Sequence, residues 1–152
     1  MADMGNRSLI GVVSLVGVLA FATRASGVTI NVPAAYSTIQ AGIDAASDGD
    51  IVLVADGVYS ENISFNGKNI RVVSAGGASS CTINGGGVSE VVKFMNNETR
   101  SAVLEGFTLT NGYGHGGGVR IDGASPTVLD CIIRSEERRV GKEGSTRWSP
   151  YH

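Results

Sequence analysis

The residues able to do chemistry in this 152-residue chain are few and scattered. His115 stands alone in the glycine-rich stretch Gly112-Tyr113-Gly114-His115-Gly116-Gly117-Gly118, without a second histidine or a cysteine at ligand spacing. It reads as a solvated side chain and not as a metal ligand. Gly112, Gly114 and Gly117 satisfy G-x-G-x-x-G, but a dinucleotide site needs a strand before and a helix after. Short strands are expected on both sides, so the stretch reads as a turn. Asp48 and Asp50 flank a helix stop, where acids serve turns. Asn62-Ile63-Ser64 and Asn97-Glu98-Thr99 are glycosylation sequons. The remaining candidates are two cations. Lys93 lies between Val92 and Phe94, and Arg120 lies between Val119 and Ile121. In a strand, side chains alternate, so both cations point outward when their neighbours point inward. If the two strands stack, the charges lie about 4.8 Å apart. They repel, and an acidic sugar polymer across that face would take both. Lys93 and Arg120 are therefore the candidate substrate-binding residues.

The element that must position them is a repeat. Val92 and Phe94 are followed by Leu104, Phe107 and Leu109; Val119 and Ile121 are followed by Val128, Cys131 and Ile133. The first pair recurs after 27 residues and the later triplet after 24. One copy cannot bury its own apolar side, but stacked copies bury a continuous column, which is the logic of a solenoid. A propeller blade needs about 40 residues per copy. Upstream, short apolar runs at Ile63 and Phe65, Ile70 and Val72, and Ile83 alternate with Gly, Asn and Ser turns, which indicates all-β architecture. Ser37-Thr38-Ile39-Gln40 matches a capping box with serine as the cap. It predicts a short amphipathic helix to Ser47, with Ile39, Ile43 and Ala46 on one face and Gly49 as its stop. Gly42 costs that helix about 1 kcal/mol against alanine. The run Asp50-Ile51-Val52-Leu53-Val54 is expected to be a strand buried on both faces, one of them under the helix.

Composition sets bounds on function. The formal net charge is −2, which gives no basic excess to suggest nucleic acid. Glycine is 22 residues and proline only 3, with no three-residue period, so the chain is not collagen-like. Residues 1–27 read as a secretory signal peptide, so the protein is expected outside the cell or on its surface. Arg7 precedes the apolar run Leu9 to Ala22, and small residues at Ala25, Ser26 and Gly27 fit a cleavage site before Ser26 or Val28. The run is shorter than the roughly 20 residues of a bilayer span, so no membrane span is expected after cleavage. Cys81 and Cys131 are expected two rungs apart on different faces, about 9.6 Å at strand spacing, beyond disulfide reach. Residues 135–152 break the pattern: seven of the 18 are charged, and the single tryptophan is among them. They are similar to a read-through tail of translated adapter sequence and are set apart from the repeat. A coil ended after Ile133 leaves an uncovered column and unpaired strand edges, so self-association or loose packing is expected.

The stretch from Tyr36 to Ile63, with Tyr36, Thr38, Ile39, Gln40, Ile43 and Asp44 in its helix and Gly49, Asp50, Gly57, Tyr59, Glu61 and Asn62 after it, resembles the opening of pectin-lyase-like right-handed parallel β-helix proteins. It departs at Gly42 and Val58, where alanine and threonine are common. Gly116 to Cys131 looks like the repeat of long β-helix surface and secreted proteins. The resemblance covers Thr29 to Arg134. It implies a right-handed parallel β-helix with a capping α-helix over residues 28–134, here as its N-terminal coils. Many activities share such a fold. The resemblance implies a non-catalytic binding or display module for carbohydrate, or else the front of a polysaccharide-degrading enzyme of the pectate lyase, pectinesterase or glycoside hydrolase type. Lyases of this kind use acidic calcium ligands and a basic proton abstractor, so calcium is implied only for a full-length parent of that type. The esterases and hydrolases use aspartate pairs or triplets. None of these motifs maps onto this chain, so neither a catalytic residue nor a cofactor is assigned.

Overall fold

The computed structural model describes residues 27–134; the segment expected to be a signal peptide (save Gly27) and the tail at 135–152 lie outside the described residues. The elements run β1 (Thr29–Val32), α1 (Ile39–Ala45), β2 (Ile51–Val54), β3 (Gly57–Ser60), β4 (Ile63–Ser64), β5 (Arg71–Ser74), β6 (Cys81–Asn84), β7 (Val92–Phe94), β8 (Val103–Glu105), β9 (Thr108–Thr110), β10 (Val119–Ile121), β11 (Thr127–Leu129) and β12 (Ile132–Ile133). They form three parallel sheets. Sheet one is ordered β1-β2-β5-β8-β11, sheet two is β3-β6-β9-β12 and sheet three is β4-β7-β10. From β2 onward the chain visits the three sheets in turn. It is a parallel β-solenoid of about four turns, with one short helix.

The repeat seen in the sequence is the coil register. Val119 pairs with Val92 at 27 residues, and Val128 with Leu104 at 24. The interior is built from alternate residues of each strand, including Val52, Val54, Val72, Ile83, Leu104 and Leu109, all with no exposed surface. Phe65 and Phe94 stack in neighbouring coils with ring centroids 4.3 Å apart.

Three expectations are corrected by this packing. First, β2 is not buried on both faces: Val52 and Val54 are fully buried, while Ile51 and Leu53 are partly exposed. The helix does not cover the other face of the strand. It plugs the open end of the interior, with Ile39 and Ile43 fully buried. A Cβ at Gly42 would meet Val32 Cγ2 at 2.9 Å and Val52 Cγ1 at 3.1 Å, so glycine permits the close approach. Second, the cap is Thr38 and not Ser37. Its hydroxyl accepts from the Ala41 N–H at 3.1 Å. Gln40 does not close a capping box. Its amide accepts from Ser64 N–H at 2.8 Å and donates to Ser64 C=O at 3.1 Å, in place of the strand that sheet three lacks above β4. The helix ends at Ala45, and Gly49 lies beyond it, with its N–H on Asn69 C=O. Third, Cys81 and Cys131 share a face. Cys81 precedes Thr82, which pairs with Thr108, and Cys131 precedes Ile132, which pairs with the same residue. Phe107 therefore lies between the two cysteines, and both are free. Burial pushes the Cys81 thiol up to about 11, with the Asp56 charge adding to it; Cys131 is also raised, chiefly by burial. Protonated thiols are poor nucleophiles.

Both ends of α1 are finished from the next coil. The two Glu61 oxygens accept from the N–H groups of Ile39 at 3.0 Å and Gln40 at 2.9 Å. The Lys68 ammonium donates to the carbonyls of Ile43, Asp44 and Ala46 at 2.6–2.8 Å. A seven-residue helix is too short to stand alone. An acid at its N-terminus and a cation at its C-terminus supply the missing partners and oppose the helix dipole. Lys68→Met is expected to lower unfolding free energy by about 2 kcal/mol, since it strips three carbonyls of a charged donor at a partly solvated site. Urea denaturation would measure the loss, and Lys68→Arg should recover part of it.

Candidate binding face on the third sheet

Sheet three carries the two candidate cations. Lys93 pairs with Arg120 on one side and with Ser64 on the other. The buried neighbours Val92 and Phe94 turn Lys93 outward, and Val119 and Ile121 do the same for Arg120. The ladder Ser64–Lys93–Arg120 therefore runs down the outside of the solenoid. Each cationic side chain retains 33% of its exposure.

The structure adds a residue that the repeat did not reveal. Glu90 is only 6% exposed and reaches both cations. Its Oε1 accepts from Arg120 Nη1 at 3.4 Å, and its Oε2 lies 3.9 Å from Lys93 Nζ. Arg120 Nη2 also lies 3.5 Å from Asp122. The repulsion expected between stacked cations is thus offset by two carboxylates. Glu90 accepts from its own backbone N–H, and from Ser89 Oγ at 3.0 Å. These bonds, then the Arg120 and Lys93 charges, hold its carboxyl below the usual range against an opposing push from burial. Glu90 lies before β7 and belongs to no strand, so a strand register does not find it. Its one sequence signal is an acid three residues ahead of the lysine.

The glycine-rich stretch closes over this carboxylate. It joins β9 to β10 with no helix, as expected of a turn. A Cβ at Gly114 would meet Glu90 Oε1 at 2.9 Å, and one at Gly112 would overlap the Gly117 carbonyl. His115 is exposed at its tip, and among the described residues no three His, Cys, Asp or Glu side chains gather as a metal site.

The other candidates serve the fold. Asp48 accepts from Asn69 N–H at 2.9 Å, and Asp50 accepts from Ser47 and Val28 N–H, both at 2.8 Å. Those two backbone donors hold the Asp50 carboxyl below its ordinary value. The Asn62 amide donates to the carbonyls of Gly85, Ser89 and Glu90 at 3.0–3.3 Å. It locks the corner between sheets two and three. Beside that corner lies an open cleft of ≈ 210 Å³, walled by Ser60, Glu61, Asn84 and Val88 among others. Asn97 is exposed in a left-handed turn with φ of 63°. No helix among the described residues is long and apolar enough to cross a membrane.

The fold and this face define the class of protein: a parallel β-solenoid with a mixed-charge ladder on its third sheet. No protein-family model matches the chain, and neither a curated protein nor a solved structure matches it.

Proposed function

We propose that the chain is a non-catalytic, exported β-solenoid module that binds an acidic polysaccharide along the outer face of sheet three. The observation that carries this reading is the register of Lys93 on Arg120, which stacks two outward cations at the spacing of neighbouring strands. A rigid sheet holds such groups at fixed spacing without the ordering cost that a loop would add. Arginine donates to carboxylates in a planar fork, and lysine offers a point charge beside it. Ser64 continues the ladder with a hydroxyl suited to sugar hydroxyls. An arriving uronate takes the place of Glu90 and Asp122 as the counter-ion, so binding is an exchange of carboxylates.

Isothermal titration with polygalacturonate tests this reading. Affinity is expected to fall as salt rises. Lys93→Ala combined with Arg120→Ala is expected to weaken binding at low salt by at least about tenfold, or 1.4 kcal/mol. Glu90→Gln removes the competing charge while keeping an oxygen for Ser89, and it is expected to tighten binding. Equal affinity of the parent and the double variant at low salt would remove the proposal.

A further inference from the structure

The chain holds two sequons, Asn62-Ile63-Ser64 and Asn97-Glu98-Thr99, and the binding face uses neither asparagine. The fold treats the two in opposite ways. The Asn62 amide is taken up inside the corner between sheets two and three. Its two N–H donors are shared among the carbonyls of Gly85, Ser89 and Glu90 at 3.0–3.3 Å. The space around it is full as well: a Cβ at Gly85 would stand 3.0 Å from Asn62 Nδ2. A substituent on that nitrogen would remove a donor and collide with this backbone.

Asn97 occupies the corner between sheets three and one, in the turn from β7 to β8. It is exposed, and its φ of 63° lies in the left-handed region that asparagine tolerates. Its neighbours hold the corner in its place. The Glu98 carboxylate accepts from Gly67 and Asn96 N–H, and Thr99 donates both its N–H and its hydroxyl to Asn69 Oδ1, each at 2.8 Å. From the following coil, Ser125 N–H reaches the Glu98 carbonyl at 2.8 Å. Asn97 is thus exposed with a described coil on either side of it.

We propose that Asn97 is an N-glycosylation site of the exported protein, and that the fold admits no glycan on Asn62. Only export is taken from the function proposed above; polysaccharide binding is not needed. The donor is an oligosaccharide carried on a polyprenyl diphosphate. Asn97 Nδ2 attacks the sugar C1, the C1–O bond to the diphosphate breaks, and an N–C1 bond forms. The polyprenyl diphosphate leaves, and the amide loses one proton. The sequon needs its threonine hydroxyl as well as its asparagine. In the folded chain Asn69 holds that hydroxyl. Transfer therefore precedes closure of the Asn69–Thr99 contact, while the coils are still winding. At that stage Asn62 is as reachable as Asn97. A chain modified at Asn62 loses the bonds that lock its corner and does not fold, so the folded protein carries its glycan at Asn97 alone.

Secretion of the full chain from insect cells, directed by an added leader, tests this without relying on residues 1–27 or on any polysaccharide. Enzymatic release of glycans in heavy-oxygen water turns each occupied asparagine into a labelled aspartate. Peptide mapping of the soluble secreted protein is expected to show the label at Asn97 and none at Asn62. Label at Asn62 is expected only in the retained, insoluble fraction. Asn97→Asp removes the acceptor and suits a left-handed turn, so it is expected to give a folded, secreted protein with no glycan. Ser64→Ala destroys only the first sequon and leaves the Asn62 amide in place; the glycan mass on the secreted protein is expected to stay the same. Soluble secreted protein that is unmodified at Asn97, or that carries label at Asn62, overturns the proposal.

Discussion

Replacing Phe94 by alanine is expected to cost about 3–5 kcal/mol of folding stability. Phe94 is fully buried, stacks on Phe65 in the coil above, and stands over Ile121 in the coil below. Removing the ring leaves a void that cannot collapse, because backbone ladders on both sides hold the strand spacing. A single domain is stable by only about 5–15 kcal/mol, so this loss is a large share of the total. The ring also fixes the turn of β7 that points Lys93 outward, so the variant is expected to blur the Lys93–Arg120 register. Urea denaturation at one fixed protein concentration measures the cost, since association would add its own concentration-dependent stability. Val58→Ala is the control: Val58 is 71% exposed, and its loss should lie within about 0.5 kcal/mol. Equal midpoints for the two variants would mean that the aromatic stack does not form.

The parts of this fold legible in the sequence are those whose turns happen to be equal in length. Val92 to Val119 and Leu104 to Val128 stood out because each cluster recurs with its internal spacing intact. Along sheet one the steps are 20, 32 and 24 residues, from Ile51 to Arg71, Val103 and Thr127, and no period links the first two. Strand β4 has two residues, too short for alternation to mark. The capping helix was legible from Ile39 and Ile43, but its true partners were not. Glu61 and Lys68 act on backbone groups 21 to 25 residues away, and any acid or lysine in a polar turn looks the same. For the site, alternation was enough to place Lys93 and Arg120 side by side. It could not supply Glu90, whose position depends on a corner and on the glycine turn folded over it.

Glu98 is the most buried acid among the described residues, and the sequence offered it only as the middle of a sequon. It is 1% exposed, and each of its oxygens accepts one backbone N–H at 2.9 Å: Gly67 from one coil and Asn96 from the next. Its own carbonyl accepts from Ser125 N–H at 2.8 Å in the coil after that. One residue therefore ties three successive turns at the corner between sheets three and one. Glu98→Ala is expected to cost about 2–3 kcal/mol, because each bond to a charged acceptor contributes roughly 1.5–3 kcal/mol and water can reach part of the two donors, Asn96 being exposed and Gly67 half-buried. Glu98→Gln separates shape from chemistry. Its carbonyl can satisfy one N–H, but its amide presents a donor to the other, so it should recover only part of the loss. Urea midpoints for both variants measure the stability. Hydrogen exchange locates it: Gly67 and Asn96 should lose protection first, while Leu104 and Leu109 hold theirs until global unfolding. If alanine and glutamine both fall within about 0.5 kcal/mol of the parent, the corner is held by backbone pairing alone, and the carboxylate staple has no energetic role.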